Sequence, residues 1–190
     1  MKKKREVSLM KFLICSDIHG DYEAASKTVD IFNEEGCDRL IILGDVLYHG
    51  PRNDLPENYA PKKVIPLLNE YKDKILCVRG NCDTEVDQMV LDFPVLADYA
   101  FLVDKDVRFF LTHGHKFNLD ALPPISDGDV LLHGHTHVLK IEKFGKDNYY
   151  VNPGSVSLPK ENNPKTLAIY ENKVLKIIDF DKNVVKSVTF

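Results

Sequence analysis

The stretch Lys11-Phe-Leu-Ile-Cys-Ser-Asp-Ile-His-Gly20 joins an apolar run to an Asp and a His. The same kind of junction recurs at Arg39-Leu-Ile-Ile-Leu-Gly-Asp45, and apolar residues at helical spacing between the two predict a helix that Gly36 ends. A second helix is predicted from Pro61, and a third apolar run follows at 74–78. The order strand, helix, strand, helix, strand predicts right-handed crossovers between parallel strands.

The second half of the chain is predicted to be rich in strands. Residues 99–103 and 107–111 have the pattern of a hairpin. Further strands are predicted at 129–132, 138–144, 148–151, 166–170 and 174–180. Strands that continue after two crossovers favour two sheets packed face to face with helices outside. No linker divides the chain, so we expect one domain over 1–190, with 1–9 as a flexible basic N-terminal extension.

Five polar clusters follow the predicted strands, and all seven histidines lie in or beside four of them. The clusters are Asp17-Ile-His19-Gly20, Gly44-Asp45 with His49, Gly80-Asn81-Cys82-Asp83, His113-Gly114-His115 and His133-Gly-His135-Thr-His137. Because open sheets bind ligands beyond the carboxyl ends of their strands, we expect the clusters to meet. An extended backbone would put His133, His135 and His137 on one side, and burying several histidines together without a metal is unfavourable. The residues therefore predict a metal site, with two ions favoured.

Composition excludes several other functions. A formal net charge of -4 is not the basic footprint that strong nucleic-acid binding needs. No run approaches the roughly 18 apolar residues of a membrane span. The four cysteines show no CxxC spacing, which favours reduced thiols and a cytoplasmic protein.

The clusters, taken in chain order, resemble the motifs of a known family, the calcineurin-like metallophosphoesterases. The resemblance rests on Asp17-x-His19, Gly44-Asp45, Gly80-Asn81-x-Asp83, His113-Gly114 and Gly134-His135-x-His137. The small size, residues 44–53 and Asn152-Pro-Gly-Ser155 are similar to the stand-alone YfcE-type phosphodiesterases of prokaryotes. The resemblance covers essentially the whole chain. It implies an α/β fold of the metallo-dependent phosphatase type: a four-layer α/β/β/α sandwich of two mixed sheets flanked by helices.

The resemblance also implies two divalent metal ions held by seven side chains. Asp17, His19 and His137 would hold one ion, and Asn81, His113 and His135 would hold the other. Asp45 would bridge them. Carboxylate, imidazole and amide donors suit Mn, which we favour, or Ni, Fe, Zn or Mg, rather than Cu(I). The expected reaction is hydrolysis of a small phosphodiester by a hydroxide that bridges the two ions.

Further residues of the clusters are candidates for binding substrate or moving protons. The candidate substrate-binding residues are His49, Arg52, Asn53 and His115, and the candidate catalytic residues are Asp45, Asn81, Cys82, Asp83 and His49. Arg52 could equally be a surface residue, and His49 could simply cap a turn. His133 fits a buried position as well as a substrate contact.

One departure from the family concerns the leaving-group proton. In many relatives a His follows the Asn ligand and, paired with the next Asp, is thought to protonate the leaving oxygen. Here that residue is Cys82, and a thiol is a weak hydrogen-bond donor and a poor acid. The YfcE-type relatives resemble this sequence in having Cys at the same position. His49 or water would then supply the proton.

Two alternatives to the phosphodiesterase stay open. A phosphomonoesterase would use the same metals, and the retromer subunit of this fold resembles these enzymes yet serves as a non-catalytic scaffold that binds proteins. All seven metal-binding positions are intact here, which favours catalysis. A homo-dimer or homo-tetramer is compatible with the strand-rich half, although no interface can be identified from the sequence.

Overall fold

A computed structural model describes residues 10–190 of the 190-residue chain, so the predicted extension over 1–9 lies outside the described residues. The elements in chain order are β1 (Lys11–Cys15), α1 (Tyr22–Glu34), β2 (Arg39–Ile42), α2 (Pro61–Asn69), a 3-10 turn (Lys72–Lys74), β3 (Ile75–Cys77), α3 (Glu85–Gln88), β4 (Tyr99–Asp104), β5 (Val107–Thr112), β6 (Val130–Leu132), β7 (Lys140–Phe144), β8 (Asn148–Asn152), β9 (Thr166–Glu171), β10 (Val174–Asp179) and β11 (Val184–Thr189).

The strands form two mixed sheets, as predicted. The first has the order β11-β10-β9-β1-β2-β3, and the pairings β1 with β2 and β2 with β3 are parallel. The second has the order β4-β5-β6-β8-β7, with parallel pairs at its centre and antiparallel strands at both edges. The two parallel crossovers expected in the first half of the chain are therefore present.

Strand β1 is apolar from Phe12 to Cys15 because both of its faces are covered. Leu13 and Cys15 belong to the core that also contains the buried faces of α1 and α2. Phe12 and Ile14 point the other way, into a core shared with β5, β6 and β8 of the second sheet. A continuous apolar run is what a strand covered on both faces requires.

Helices cover only the first sheet within residues 10–190. The carboxylate of Asp21 caps α1 by accepting the amide N–H of Ala24 at 3.0 Å. On the outer face of the second sheet, where the resemblance predicts another helical layer, a loop packs Phe117 and Ile125 against the strands. This loop contains adjacent prolines at 123–124, which a continuing helix does not accommodate.

The pattern of apolar residues did not predict every element. Strand β11 is exposed at the edge of the first sheet and has no regular alternation of buried residues to mark it. The four-residue helix α3 was also not predicted. None of the helices formed by residues 10–190 combines the length and apolar character that a membrane span requires.

Candidate metal centre

The loops that follow β1 and β2 run side by side beyond the strands. The amide N–H of Asp17 donates to the carbonyl of Gly44 at 3.2 Å, and that of His19 donates to the carbonyl of Asp45 at 2.9 Å. These contacts continue the parallel pairing past the strand ends. They bring Asp17, His19 and Asp45 to one edge of the first sheet, as predicted.

An unfavourable backbone conformation marks five of the seven predicted ligands. Their φ angles are positive: Asp17 58°, His19 49°, Asp45 56°, His135 67° and His137 61°. Non-glycine residues rarely occupy this left-handed region, and each such residue costs on the order of 1–3 kcal/mol. Strain of this kind clusters at functional sites, where the surrounding structure enforces it.

The second sheet contributes the remaining histidines of the site. His113 directly follows β5, and His135 and His137 follow β6. The expectation that His133, His135 and His137 share one side of an extended segment is wrong, because the left-handed residues fold this segment into turns. His133 is turned away from the other two: its Nδ1 donates to the carbonyl of Gly134 at 3.0 Å, and its ring lies 4.5 Å from that of Tyr150. Burial lowers the pKa of His133 to about 4.

Three imidazole rings are held in the same way by backbone carbonyls. Nδ1 of His19 donates to the carbonyl of Tyr48 at 2.8 Å, and Nδ1 of His113 donates to that of Leu43 at 2.7 Å. Nδ1 of His137 donates to the carbonyl of Leu158 at 2.6 Å. In the neutral rings this leaves each Nε2 with a free lone pair that faces the site. A carbonyl that fixes the tautomer and direction of the ring is the usual support of a metal-binding histidine.

The first predicted group of ligands converges around one carboxylate oxygen. Asp17 Oδ1 lies 3.3 Å from His137 Nε2 and 3.7 Å from His19 Nε2, while the two Nε2 atoms are 3.3 Å apart. Asp17 Oδ1 is buried and has no hydrogen-bond partner among residues 10–190. An unpartnered carboxylate oxygen facing two imidazole lone pairs fits a cation, which would satisfy all three.

The second predicted group meets the first at Asp45, and its His113 Nε2 is also 4.0 Å from Asp17 Oδ1. His113 Nε2 is 3.4 Å from Asp45 Oδ2, 3.0 Å from Asn81 Oδ1 and 3.1 Å from His135 Nδ1. Asp45 Oδ2 is also 3.7 Å from His19 Nε2 of the first group, so this carboxylate stands between the two groups. The structure thus brings all seven predicted ligands together.

The electrostatics of the site favour positive charge. Burial lowers the pKa of His113, but the contact with Asp45 and the charges of Asp17 and Asp45 outweigh it and raise this pKa to about 9. Burial opposes ionisation of Asp17, yet the neighbouring rings of His137, His113 and His19 hold the pKa of this carboxyl below its usual range. A divalent cation would supply the charge that these carboxylates attract.

Asp83 lies beneath the site rather than in it. Its buried carboxylate accepts three backbone N–H groups, from Asp45 at 2.8 Å, Val46 at 2.9 Å and Gly80 at 2.7 Å. Burial raises the pKa of Asp83 to about 6, although these N–H groups act in the opposite direction. The carboxylate therefore ties the loop that carries Asp45 to the loop that carries Asn81.

Cys82 is buried next to two of the predicted ligands. Its thiol sulfur accepts the side-chain amide of Asn81 at 3.2 Å, which leaves Asn81 Oδ1 directed at His113. Its backbone N–H donates to Asp45 Oδ1 at 2.8 Å. Burial and the nearby Asp45 raise the pKa of the thiol, so Cys82 is a neutral side chain.

All four cysteines of the chain are free.

An open pocket of about 290 Å³ leads to the predicted ligands. It is lined by Asp45, Arg52, Asn53, Asn81, His135, Thr136, His137 and Lys160. Of the candidate substrate-binding residues, Arg52 and Asn53 therefore reach the pocket. Thr136 and Lys160 were not predicted; Lys160 is an isolated Lys in a polar segment, and only its contact with His137 reveals its position.

His49 and His115 stand close to the site without lining this pocket. The ring of His49 packs edge-on against Tyr48 and Tyr59, with centroids 4.8 Å and 5.3 Å away. The ring of His115 lies 5.4 Å from that of His113. Both Nδ1 atoms are buried without a hydrogen-bond partner in the described part of the chain, so each has a free polar group close to the site.

Known proteins with similar sequences and structures point to one family. The profile of the Calcineurin-like phosphoesterase superfamily domain matches residues 10–174. Phosphodiesterase YfcE of Escherichia coli (strain K12) is 46% identical over 181 residues, which cover 95% of this chain and 98% of that protein. Phosphodiesterase MJ0936 of Methanocaldococcus jannaschii is 28% identical over 153 residues, covering 76% and 83%. The solved structure of YfcE, a phosphoesterase from E. coli, superimposes with a TM-score of 0.92 and covers 95% of this chain and 99% of that one.

Proposed function

This chain belongs to the calcineurin-like phosphoesterase superfamily, and from that premise we propose that it is a metal-dependent phosphodiesterase that hydrolyses small phosphodiesters. The resemblance to the YfcE-type enzymes predicted from the motifs is confirmed. The observation that carries the proposal is the convergence of Asp17, Asp45 and three carbonyl-oriented histidines from two sheets on one point.

Two divalent metal ions are the proposed cofactors. Asp17, His19 and His137 would hold one ion, Asn81, His113 and His135 would hold the other, and Asp45 would contact both. The unpartnered Asp17 Oδ1 and the inward-facing Nε2 atoms support this assignment. Mn is the proposed metal because carboxylate, amide and imidazole donors suit it, and Ni, Fe, Zn and Mg are the competitors.

The chain's own groups position the ester and manage its protons. Bound divalent ions lower the pKa of water and neutralise charge on the phosphoryl oxygens. Arg52 and Asn53 line the pocket and donate to the non-bridging oxygens of the ester. His115, whose ring lies beside that of His113, is a further donor to the substrate. His49, whose Nδ1 is unpartnered in the described residues, supplies the proton of the leaving group through water. Asn81, Cys82 and Asp83 act by presenting the amide oxygen and holding Asp45 in place.

The wider setting of the enzyme is also part of the proposal. Four free cysteines fit a reducing cytoplasm. An exposed apolar stripe on edge strand β4, formed by Tyr99, Phe101 and Val103, fits a homo-dimer or homo-tetramer, and sedimentation of the purified protein measures the assembly state.

The test is hydrolysis of bis(4-nitrophenyl) phosphate and 4-nitrophenyl phosphate by metal-stripped protein, with Mn, Ni, Mg, Zn or no metal restored. We expect cleavage that needs metal and favours the diester. Asp45→Asn removes one oxygen of the bridging carboxylate at nearly constant volume, so we expect it to lose activity together with metal.

Each other outcome selects one alternative. Preference for 4-nitrophenyl phosphate would make the protein a phosphomonoesterase. Cleavage of neither ester with any metal, by protein that binds two metal equivalents, would favour the non-catalytic scaffold.

A further inference from the structure

Two pockets adjoin the predicted metal ligands, and they differ in charge. The pocket of about 290 Å³ described above, here called the cationic pocket, carries Arg52 and Lys160. A neighbouring pocket of about 430 Å³, here called the acidic pocket, carries Asp120 and Glu161 beside apolar side chains, and its one lysine, Lys140, is paired with Glu142. His135 and Thr136 line both pockets and form the wall between them. A phosphodiester held at this wall would meet different charges on its two sides.

Lys160 is placed by the segment that orients a metal ligand. Its backbone N–H donates to the carbonyl of His137 at 3.1 Å, and the carbonyl of Leu158, two residues earlier, accepts Nδ1 of the same histidine. The side-chain amide of Asn163 donates to the carbonyl of Lys160 at 2.7 Å and fixes the following turn. The position of this lysine is therefore coupled to the geometry of the site.

Arg52 is placed in the same manner on the opposite side. It lies in the loop whose Tyr48 carbonyl orients His19. The side-chain amide of Asn53 donates to the carbonyl of His49 at 2.8 Å and closes this loop. Each cation is thus carried by a segment that also holds a histidine of the site.

Both cations have no acidic partner in the described part of the chain. Neither Arg52 nor Lys160 forms an ion pair among residues 10–190, whereas Lys140 of the acidic pocket pairs with Glu142. The reacting group of a phosphodiester carries a single negative charge, which the proposed metal ions already balance. Arg52 is already assigned to the non-bridging oxygens of this group, so Lys160 provides a further positive charge that the group does not use.

We propose that Lys160 selects phosphodiesters in which one arm carries a second anionic group, a carboxylate or a further phosphate. The anionic arm occupies the cationic pocket, because Asp120 and Glu161 repel it from the acidic pocket. The uncharged arm lies on the acidic side of the His135–Thr136 wall. This inference rests on the proposed function and specifies its substrate class.

The test uses three aryl diesters with the same 4-nitrophenyl leaving group, so that only the second arm differs. The arms are propyl, 2-carboxyethyl and 2-phosphonoethyl, and the Mn-loaded protein is assayed with each. We expect kcat/KM to be at least about fivefold higher for the diesters with charged arms than for the propyl diester, mainly because KM is lower. A gain of this size is what one exposed ion pair can provide. The preference should shrink at high salt because exposed charges are screened. The carboxylate and phosphonate arms distinguish the two kinds of anion.

Substitutions test whether Lys160 is responsible for the preference for diesters with charged arms. Lys160→Ala should bring the charged arms down to the value of the propyl arm, and Lys160→Arg should restore most of the preference. Lys140→Ala is the matched control, because this lysine borders the same wall from the acidic side. Calorimetric binding of the product 2-carboxyethyl phosphate, compared with propyl phosphate, should show the same dependence on Lys160 without turnover.

The outcomes separate this inference from the proposed function. Cleavage of all three diesters at equal kcat/KM, or a preference that survives Lys160→Ala, would overturn the role of Lys160 while leaving the phosphodiesterase intact. Failure to cleave any of the three with metal restored would instead overturn the proposed function.

Discussion

At the scale of single residues, Cys82 occupies a position where its main contact is with Asn81. The sulfur accepts the Asn81 amide and so directs the amide oxygen at His113. Because burial and Asp45 raise the thiol pKa, the sulfur does not serve as a proton donor near neutral pH. The leaving group must then obtain its proton elsewhere.

Replacing Cys82 with His should raise turnover, because imidazole is a far better general acid. We expect Cys82→His to keep both metals and to raise kcat by roughly tenfold for phenyl esters, a modest part of what general acids provide. The gain should be smaller for 4-nitrophenyl esters, whose leaving group needs little protonation. Cys82→Ser is the control, and a metal-loaded Cys82→His that is slower on both esters would contradict the account.

Asp83 acts at the same scale by holding two loops together. Asp83→Asn turns one acceptor into an amide donor that faces backbone N–H groups, so we expect a loss of about 1–3 kcal/mol in the free energy of unfolding. Metal affinity should fall by about 10–100-fold, as for other groups that orient ligands. Denaturant unfolding and metal titration measure both quantities. Asp98→Asn, at an exposed carboxylate paired with Lys116, should change neither.

At the scale of elements, the turns after the strands leave no spare space between them. A Cβ built on Gly80 would lie 2.0 Å from Asp45 Oδ1 and 2.3 Å from Asp45 N. The loops after β2 and β3 can thus approach each other only through a glycine. Gly36, by contrast, has a φ of +62° but open space around it.

Gly80→Ala should therefore damage the metal centre as well as the fold. We expect it to cost about 1–3 kcal/mol through overpacking and to weaken metal binding, because Asp45 must move. Gly36→Ala should cost about 1–2 kcal/mol through its backbone conformation alone and leave metal affinity unchanged. Thermal unfolding with and without Mn measures both effects, and unchanged metal affinity in Gly80→Ala would refute the steric account.

The elements that could be predicted from the sequence are those with a strong local signal. The apolar runs around 11–16 and 39–43 identify strands β1 and β2, and the five polar clusters identify, by their place after a strand, the residues that come together at the site. The pairing of β9 with β1 could not be predicted, because it joins residues far apart in the chain. His133 turns away from the site because His135 and His137 adopt the left-handed backbone conformation. The sequence does not reveal this conformation, because neither residue is a glycine. Lys160 was missed for the same reason: its position depends on a tertiary contact.

At the scale of the whole molecule, the site joins the two sheets. Asp17, His19 and Asp45 follow strands of the first sheet, whereas His113 and His137 follow strands of the second. These groups face one another, and the carboxylate oxygen Asp17 Oδ1 among them has no hydrogen-bond partner in the described part of the chain. Divalent ions bound by these groups would therefore stabilise the packing of the two sheets.

Metal removal should lower the thermal stability of the whole protein. At an Mn concentration 100 times its Kd, binding adds about 2.7 kcal/mol, which corresponds to roughly 5–10 °C in Tm for a chain of this size. Scanning calorimetry with Mn or with a chelator measures the difference. In Asp45→Asn the difference should be much smaller, and an equal shift in that variant would place the stabilising ions elsewhere.

The same arrangement determines when the ions can bind during folding. His19 and His137 are separated by 118 positions in the chain, and their rings meet only after both sheets have formed and docked. We therefore expect metal to bind late in folding and to contribute little to the stability of the transition state. In stopped-flow experiments, Mn should leave the refolding rate nearly unchanged and slow unfolding severalfold. The ions would then give kinetic stability to a fold that the chain reaches without them.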